Sequence, residues 1–367
     1  MAQGGMGRVP ALFMRHASQT SKLSQSSRSF SSTSSQFRNI IPAFKPTSSP
    51  ELDELLETYR QQLFIPRSLS LLHRNLIYKQ KNAEKLKENP ISVNIGGENE
   101  ESYVLKPMQL KDQPGSKEFR RYVSLMKTRE DWLSVLPFLV GLQDAKRPLA
   151  KSRLEWLIRK AGLAGHDGVI VECVKQSKRT GLTLQNPSVT RTLFLAIRHK
   201  AQQADFKGPE VETALRRAQQ MAELLDAPEH TARNPRNDAK RMPDIIAVLL
   251  ELSAAHALDA FEGKDAQGKV RAYAERLLST WLLGKFDIPA EWTVANFWLL
   301  EVVPVWHCMK LALQVEEIKG DIELSKALKS RMDELGEKIE TAVERVTNES
   351  GTTDRAGVAL AKQLYHK

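Results

Sequence analysis

Few residues of this chain have the types and spacing that chemistry requires. The two cysteines, Cys173 and Cys308, lie far apart, and each falls inside an apolar run, which predicts buried reduced thiols rather than a disulfide. His307 precedes Cys308, but neighbouring residues of a helix point in different directions and cannot act together as base and nucleophile. The carboxylate pairs Glu100–Glu101 and Glu316–Glu317 lie in polar runs, where solvation explains them.

Motifs for cofactors, metals and nucleophiles are absent from the sequence as well. The chain has no CxxC, HxxxH or HExxH spacing, no GxGxxG or Walker loop, and no GxSxG. We therefore predict no catalytic residue, no metal site, no cofactor and no small-molecule substrate. An enzyme with an unrecognised site is the weakest of three hypotheses, because it would require a deep pocket lined by titratable groups.

A basic, helical stretch at residues 148–200 carries the strongest functional signal. Apolar residues recur there at helical spacing in three segments, which predicts three helices separated by short turns at Gly181 and at Asn186–Pro187. Ten cations stand against three acids in this stretch. The excess predicts a positive face suited to RNA, with the candidate residues Lys151, Arg153, Arg159, Lys160, Lys175, Lys178, Arg179, Arg191, Arg198 and Lys200.

The net charge of +10 belongs mostly to the first fifty residues. Residues 1–50 hold six of the 54 basic residues, none of the 44 acids and twelve serines, which leaves the body with 48 cations against 44 acids. Spaced arginines, many serines and no acids are typical of a mitochondrial transit peptide. We predict a cleavable transit peptide at residues 1–30, cut after Phe30, then disorder to about residue 50 and a location in the mitochondrial matrix.

The rest of the chain divides into three predicted regions. Residues 51–116 are expected to form N-terminal helices and an extended arm, because residues 91–105 alternate as a small β-hairpin would. Residues 117–315 form a helical body, and residues 316–367 an amphipathic C-terminal helix and tail. The expected fold is mainly all-α, with α-solenoid-like stacked helix pairs.

A polar loop at residues 226–243 interrupts the helical body. It carries four further candidate RNA-binding residues, which are Arg233, Arg236, Lys240 and Arg241. One interpretation is a surface insertion, and the other is an arm that contacts rRNA or a protein partner.

The most hydrophobic window is residues 292–315. Its length nearly suits a bilayer, but Glu301, Pro304, His307 and Lys310 interrupt it, and charge is costly inside a membrane. We predict a buried helical hairpin that breaks at Pro304, and no transmembrane span.

Residues 154–201 resemble the pentatricopeptide-repeat family. The matching residues are Leu157–Ile158 with Lys160–Ala161–Gly162, then Lys175, Lys178 and Gly181–Leu182, and then Pro187–Ser188–Val189–Thr190. The offset from Leu157–Ile158 to Leu193–Phe194 is 36 residues, close to the family's repeat length. The chain departs from the pattern in the three extra residues 184–186, in Arg191 at a usual tyrosine, and in having only one and a half units.

The resemblance implies stacked helix pairs that bind single-stranded RNA in an organelle. The family's base-reading position would fall on Thr192 and, less closely, on Glu155. The chain is in this respect similar to helical proteins of fungal mitochondrial gene expression.

Two non-enzymatic hypotheses follow. The first is a structural component of the mitochondrial ribosome, or a factor that docks on it, with rRNA or mRNA and mitochondrial ribosomal proteins as partners. The second is an assembly factor or adaptor for a respiratory complex at the matrix face of the inner membrane. The second hypothesis requires membrane association and no dependence on RNA.

Overall fold

A computed structural model describes residues 41–95 and 101–365. The predicted transit peptide at residues 1–30 and residues 96–100 of the predicted hairpin lie outside the described residues. Residues 41–49, which fall in the segment predicted to be disordered, contain no helix or strand, but some of them contact the helical body. The Ser48 N–H and hydroxyl donate to the two oxygens of Asp131 at 2.8 and 2.7 Å.

The N-terminal region holds short helices and the hairpin. Helix α1 (Pro50–Tyr59) is capped by Ser49, whose side chain accepts from the Leu52 N–H, and it continues through a π-helical stretch (Arg60–Phe64). The elements that follow are α2 (Ile65–Ser68), α3 (Leu71–Tyr78), α4 (Ala83–Glu88), β1 (Ser92–Ile95) and β2 (Glu101–Val104). The strands are antiparallel, with Ser92 opposite Val104, and they confirm the predicted small hairpin.

The remainder of the described chain is helical. Its helices are α5 (Ser116–Leu125), α6 (Arg129–Leu133), α7 (Val135–Asp144), α8 (Lys151–Leu163), α9 (Asp167–Lys175), α10 (Ser177–Thr180), α11 (Pro187–Gln203), α12 (Pro209–Leu224), α13 (Pro243–Ala260), α14 (Lys269–Thr280), α15 (Trp292–Ala312), α16 (Glu316–Gly320), α17 (Ile322–Ser350) and α18 (Ala356–Leu364). The fold is therefore mainly all-α with one small hairpin, as predicted.

Helices α8, α9, α11 and α12 pack on one another, and the short helix α10 lies against α7 and α9. Helix α8 lies against α9 and α11, and α11 in turn lies against α12. The α8–α11 contact is close because Gly162 has no side chain, and an added Cβ would lie 2.6 Å from the Cβ of Ala196. Gly181 ends α10 in the left-handed conformation (φ 71°), which glycine adopts at little cost.

Helices α13 and α15 form the centre of the core. They pack on each other, and α15 also contacts α17 and α18. The predicted hairpin at residues 292–315 is wrong, because α15 runs unbroken through Pro304. Proline inside a helix costs about 3 kcal/mol. Burial of the surrounding side chains, such as Val303 and Val305, offsets that cost. Within the described residues, no helix combines the length and apolar character needed to cross a membrane.

Candidate nucleic-acid interface

Helix α11 carries three predicted RNA-binding cations and no acid, and it directs one of these cations into the core. Arg198 is only 2% exposed. Its Nη2 donates to Glu251 Oε1 at 2.8 Å, and its Nε donates to the other carboxylate oxygen of Glu251, on α13. Arg198, which the sequence analysis predicted to bind RNA, therefore has its guanidinium buried and paired with a carboxylate in the core, away from the surface that a phosphate could approach.

Glu251 joins three helices through a buried network. His307 Nδ1, on α15, lies 2.6 Å from Glu251 Oε1, and the imidazole ring of His307 packs on Phe206 at 4.8 Å between centroids. Burial alone would raise the pKa of Glu251, but Arg198 and His307 outweigh that penalty and hold this pKa below its ordinary value. Because the ionised carboxylate only accepts hydrogen bonds, His307 Nδ1 must carry the donated proton.

Arg191 is held nearly as firmly. Its guanidinium binds Asp244 of α13 and lies 3.1 Å from Glu301 of α15. Burial raises the pKa of Glu301, and the neighbouring Asp244 adds to the rise, which Arg191 opposes. We conclude that the ion pairs of Arg191 link helix α11 to helices α13 and α15.

The positions that resemble base-reading residues are also engaged within the chain. The Thr192 hydroxyl donates to the Ser188 carbonyl of its own helix at 2.8 Å. The Glu155 carboxylate accepts a hydrogen bond from the Ser188 hydroxyl. Both side chains are half-buried, so neither projects into solvent in a way that would let it contact a base.

Four other cations of the central stretch form long, surface ion pairs. Their nitrogen–oxygen separations run from 3.7 to 4.0 Å, and the pairs are Lys151 with Glu155, Lys175 with Glu172, Lys178 with Glu229, and Lys200 with Glu210. Pairs of this kind contribute little and are readily exchanged for another anion.

The last four cations of the stretch form no ion pair within the described residues. Arg159, Lys160 and Arg179 are exposed to solvent, and Arg153 is not. Arg153 is half-buried and donates to the Ser116 hydroxyl. Arg179 donates to the side-chain oxygen of Gln176 at 2.8 Å. Arg159 and Lys160 are exposed on α8, and neither forms an ion pair with any acid of the described chain.

The loop at residues 226–243, which we call the basic arm, is attached at its root. His230 is buried, and its Nδ1 accepts a hydrogen bond from the Leu184 N–H at 3.1 Å. The Glu229 carbonyl accepts from the Gln185 side chain, also at 3.1 Å. Burial lowers the pKa of His230, which keeps its ring neutral and its Nδ1 free to accept.

The far end of the basic arm is attached as well. Lys240 Nζ lies 2.7 Å from Asp226 Oδ1, which closes the arm on its own base. Arg276 of α14 donates from Nη2 to the Lys240 carbonyl at 2.8 Å, and Ala239 is buried beside it. The arm contains two short 3₁₀ turns, Pro235–Asn237 and Ala239–Arg241, each capped by a side-chain oxygen.

Three arginines of the basic arm face solvent. Arg233, Arg236 and Arg241 are exposed, and none of them is ion-paired within the described part of the chain. Arg276 is a fourth exposed guanidinium beside them, and the sequence analysis missed it. No local signal could have found Arg276, because it lies 36 residues from its contact on the arm.

The cysteines and the possible metal ligands of the described residues were the other candidates for chemistry. Cys173 and Cys308 are fully buried, and burial raises the pKa of Cys173 to about 12 and that of Cys308 well above its usual range. Among the described residues, no group of three or more histidine, cysteine or acidic side chains is arranged to hold a metal ion.

Comparison with known proteins places this geometry in context. The family Mrp13, mitochondrial ribosomal protein mS27, matches residues 28–367. The small ribosomal subunit protein mS27 of Neurospora crassa is 32% identical over 285 residues, which cover 71% of this chain and 70% of that protein.

Proposed function

The chain belongs to the family of mitochondrial ribosomal protein mS27 and is a structural component of the mitochondrial ribosome. From that premise we propose which partners it contacts in the ribosome and which of its residues make the contact. We propose that it is a non-enzymatic protein of the small subunit that contacts rRNA and neighbouring ribosomal proteins. The observation that carries this proposal is the family match over residues 28–367. The same match favours a ribosomal protein over an adaptor for a respiratory complex.

The proposed RNA contact uses cations that remain available at the surface. The buried Arg198 and the fastened Arg191 are left out of it for the reasons given above. Support comes from the exposure of the remaining candidates, which are Lys151, Arg159, Lys160, Lys175, Lys178, Arg179, Arg233, Arg236 and Arg241. Lys200, Lys240 and Arg153 are half-buried and are therefore less available to RNA.

The proposed location within the mitochondrion is the matrix. The predicted transit peptide at residues 1–30 supports it, and the family match begins at residue 28, next to the predicted cut after Phe30. Sequencing the N-terminus of the mature protein tests the cleavage. An N-terminus that still contains residues 1–30 would contradict it.

We also propose that α8, α9 and α11 form one and a half degenerate units of the pentatricopeptide-repeat type. The packing of these helices on one another supports the idea, as does the 36-residue offset between equivalent apolar pairs. The local bonds of Thr192 and Glu155 favour contact with the RNA backbone over the reading of bases.

Sedimentation of mitochondrial lysate through a density gradient tests the proposal. We expect the chain to migrate with the small ribosomal subunit and to leave that fraction after ribonuclease treatment. A light or membrane-bound position that is indifferent to ribonuclease would overturn the proposal and restore the adaptor hypothesis.

A further inference from the structure

We infer that the RNA contact is concentrated on one preformed ridge, made of the basic arm, Arg276 of α14, and Lys178 and Arg179 of α10. This inference rests on the proposed function and names the surface and the ligand. The ligand is the phosphate backbone of RNA, bound by guanidinium groups without reading of base sequence.

Three separate parts of the chain meet at this ridge. The Lys178 ammonium of α10 lies 3.8 Å from Glu229 at the root of the arm, so α10 and the arm are neighbours. Arg179 follows directly on α10 and is exposed. At the other end, the Arg276 guanidinium touches the arm backbone at Lys240.

The ridge carries an excess of positive charge, with seven cations against the acids Asp226, Glu229 and Asp238. Asp226 binds Lys240, Glu229 binds Lys178, and Asp238 accepts from a backbone N–H of the arm. Outside the ridge, Asp144 interacts electrostatically with Arg179. Five exposed arginines of the ridge form no ion pair in the described structure, which are Arg179, Arg233, Arg236, Arg241 and Arg276. Guanidinium groups bind phosphate through paired donors, and this favours RNA as the partner.

The basic arm is held in place before anything binds. His230 and the Glu229 carbonyl fix the root, and the Lys240–Asp226 pair closes the other end. Asn234 and Asp238 cap its two turns at 3.0 Å. A segment that is already ordered loses less conformational entropy on binding. A larger part of the free energy of each phosphate contact therefore appears as binding affinity.

The composition of the arm argues for the backbone rather than the bases. Residues 226–243 contain no phenylalanine, tyrosine or tryptophan, and recognition of single-stranded bases depends largely on aromatic stacking. The expected binding is therefore salt-dependent and tolerant of sequence.

The test measures the affinity of the purified chain for a short single-stranded RNA and a short RNA duplex, over salt from about 50 to about 200 mM. The variant is Arg233→Gln with Arg236→Gln and Arg241→Gln. Each lost phosphate contact lowers the slope of log K against log salt by about 0.7 for a single strand. We expect the triple variant to lower that slope by about 2 and to reduce affinity at least tenfold at the lower salt.

A matched control removes the same charge elsewhere. Lys81→Gln with Lys85→Gln and Lys87→Gln changes three exposed lysines in and beside α4, none of which forms an ion pair within the described residues. We expect this control to keep nearly the whole slope. Equal losses in both triple variants, or no RNA binding by the unmodified chain at low salt, would overturn the inference.

Arginine footprinting on isolated ribosomes separates an RNA partner from a protein partner. We expect phenylglyoxal to spare Arg233, Arg236, Arg241 and Arg276 in the intact particle and to modify them after ribonuclease treatment. Protection that survives ribonuclease would assign the ridge to a protein and overturn the inference. Reaction in the intact particle would overturn it too, while absence of the chain from ribosomal fractions would count against the proposed function instead.

Discussion

Arg198 on α11 and Arg236 in the basic arm are the same residue type in stretches of similar charge, and they play opposite parts. Arg198 is buried against Glu251 and joins helices of the core. Arg236 is exposed and has no acidic partner among the described residues. The first stabilises the fold, and the second is available to a partner.

The difference between the two arginines depends on which cations are met by carboxylates from other parts of the chain. Within residues 148–200 only three acids are present, yet six of the ten cations there pair with carboxylates. Five of those carboxylates belong to later parts of the chain, from Glu210 to Glu301. A count of charge along the sequence therefore overestimates the charge available to RNA on a segment that lies under other helices.

Substitution of Arg198 gives the largest expected effect. Arg198→Met leaves the buried Glu251 carboxylate with His307 alone, and breaking a buried pair in this way costs about 3–5 kcal/mol of unfolding free energy. Denaturant unfolding of the purified chain measures it. The double variant with Glu251→Leu should recover much of the loss, because no unpaired charge remains. A single-variant loss below about 1 kcal/mol would show that the network is not a stabilising feature.

Arg191 tests the partly exposed version of the same arrangement. Arg191→Met leaves Asp244 and Glu301 close together without a cation, and we expect a loss of about 1–2 kcal/mol, moderated by solvent screening. Glu301 already has a raised pKa, so its folded form binds a proton more readily than its unfolded form. The deficit should therefore shrink between pH 7 and pH 5. A deficit that stays constant over this range would exclude Glu301 as its source.

The root of the basic arm should loosen in acid. The pKa of His230 is lowered in the folded chain, so its stabilising contact is complete above the unfolded value of about 6.5 and is lost as the pH falls below it. Hydrogen exchange at the Leu184 amide, corrected for the intrinsic rate, should report reduced protection below that value. His230→Asn keeps an acceptor that does not titrate, and it should remove the pH dependence.

The exposed arginines of the basic arm should affect stability least. Arg233→Gln, Arg236→Gln and Arg241→Gln are each expected to change the unfolding free energy by less than about 0.5 kcal/mol, because none has an ion pair to lose. Denaturant unfolding of the three single variants, beside Arg198→Met, gives the comparison directly. A loss of about 2 kcal/mol or more would place the altered arginine in the fold instead of on the surface.

Local patterns predicted the elements of this molecule well. Apolar spacing anticipated α8, α9 and α11, and strand alternation anticipated the hairpin of β1 and β2. Spacing of three or four residues also accounts for the pairs Lys151–Glu155 and Lys175–Glu172. The deeper pairs were out of reach, since Glu251 lies 53 residues beyond Arg198 and meets it only through the packing of α13 on α11.

Pro304 shows a second limit of local reasoning. The missing N–H and the ring of proline favour a break, and the sequence prediction followed that preference. Helix α15 nevertheless continues through Pro304. Helices α13, α17 and α18 pack on α15, and the residues on either side of Pro304 are buried. Tertiary packing outweighed the local penalty of proline. The helices that supply this packing lie outside residues 292–315, so the pattern within that window could not reveal them.

The two buried thiols have a practical consequence for kinetics. Cys173 on α9 and Cys308 on α15 are fully enclosed, and their raised pKa values leave almost no thiolate. A thiol reagent can therefore modify them only when the surrounding helices separate, so the labelling rate measures opening events. Because the two cysteines lie in different helices, one labelling experiment on the unaltered chain would measure the opening rate around α9 and the opening rate around α15 separately.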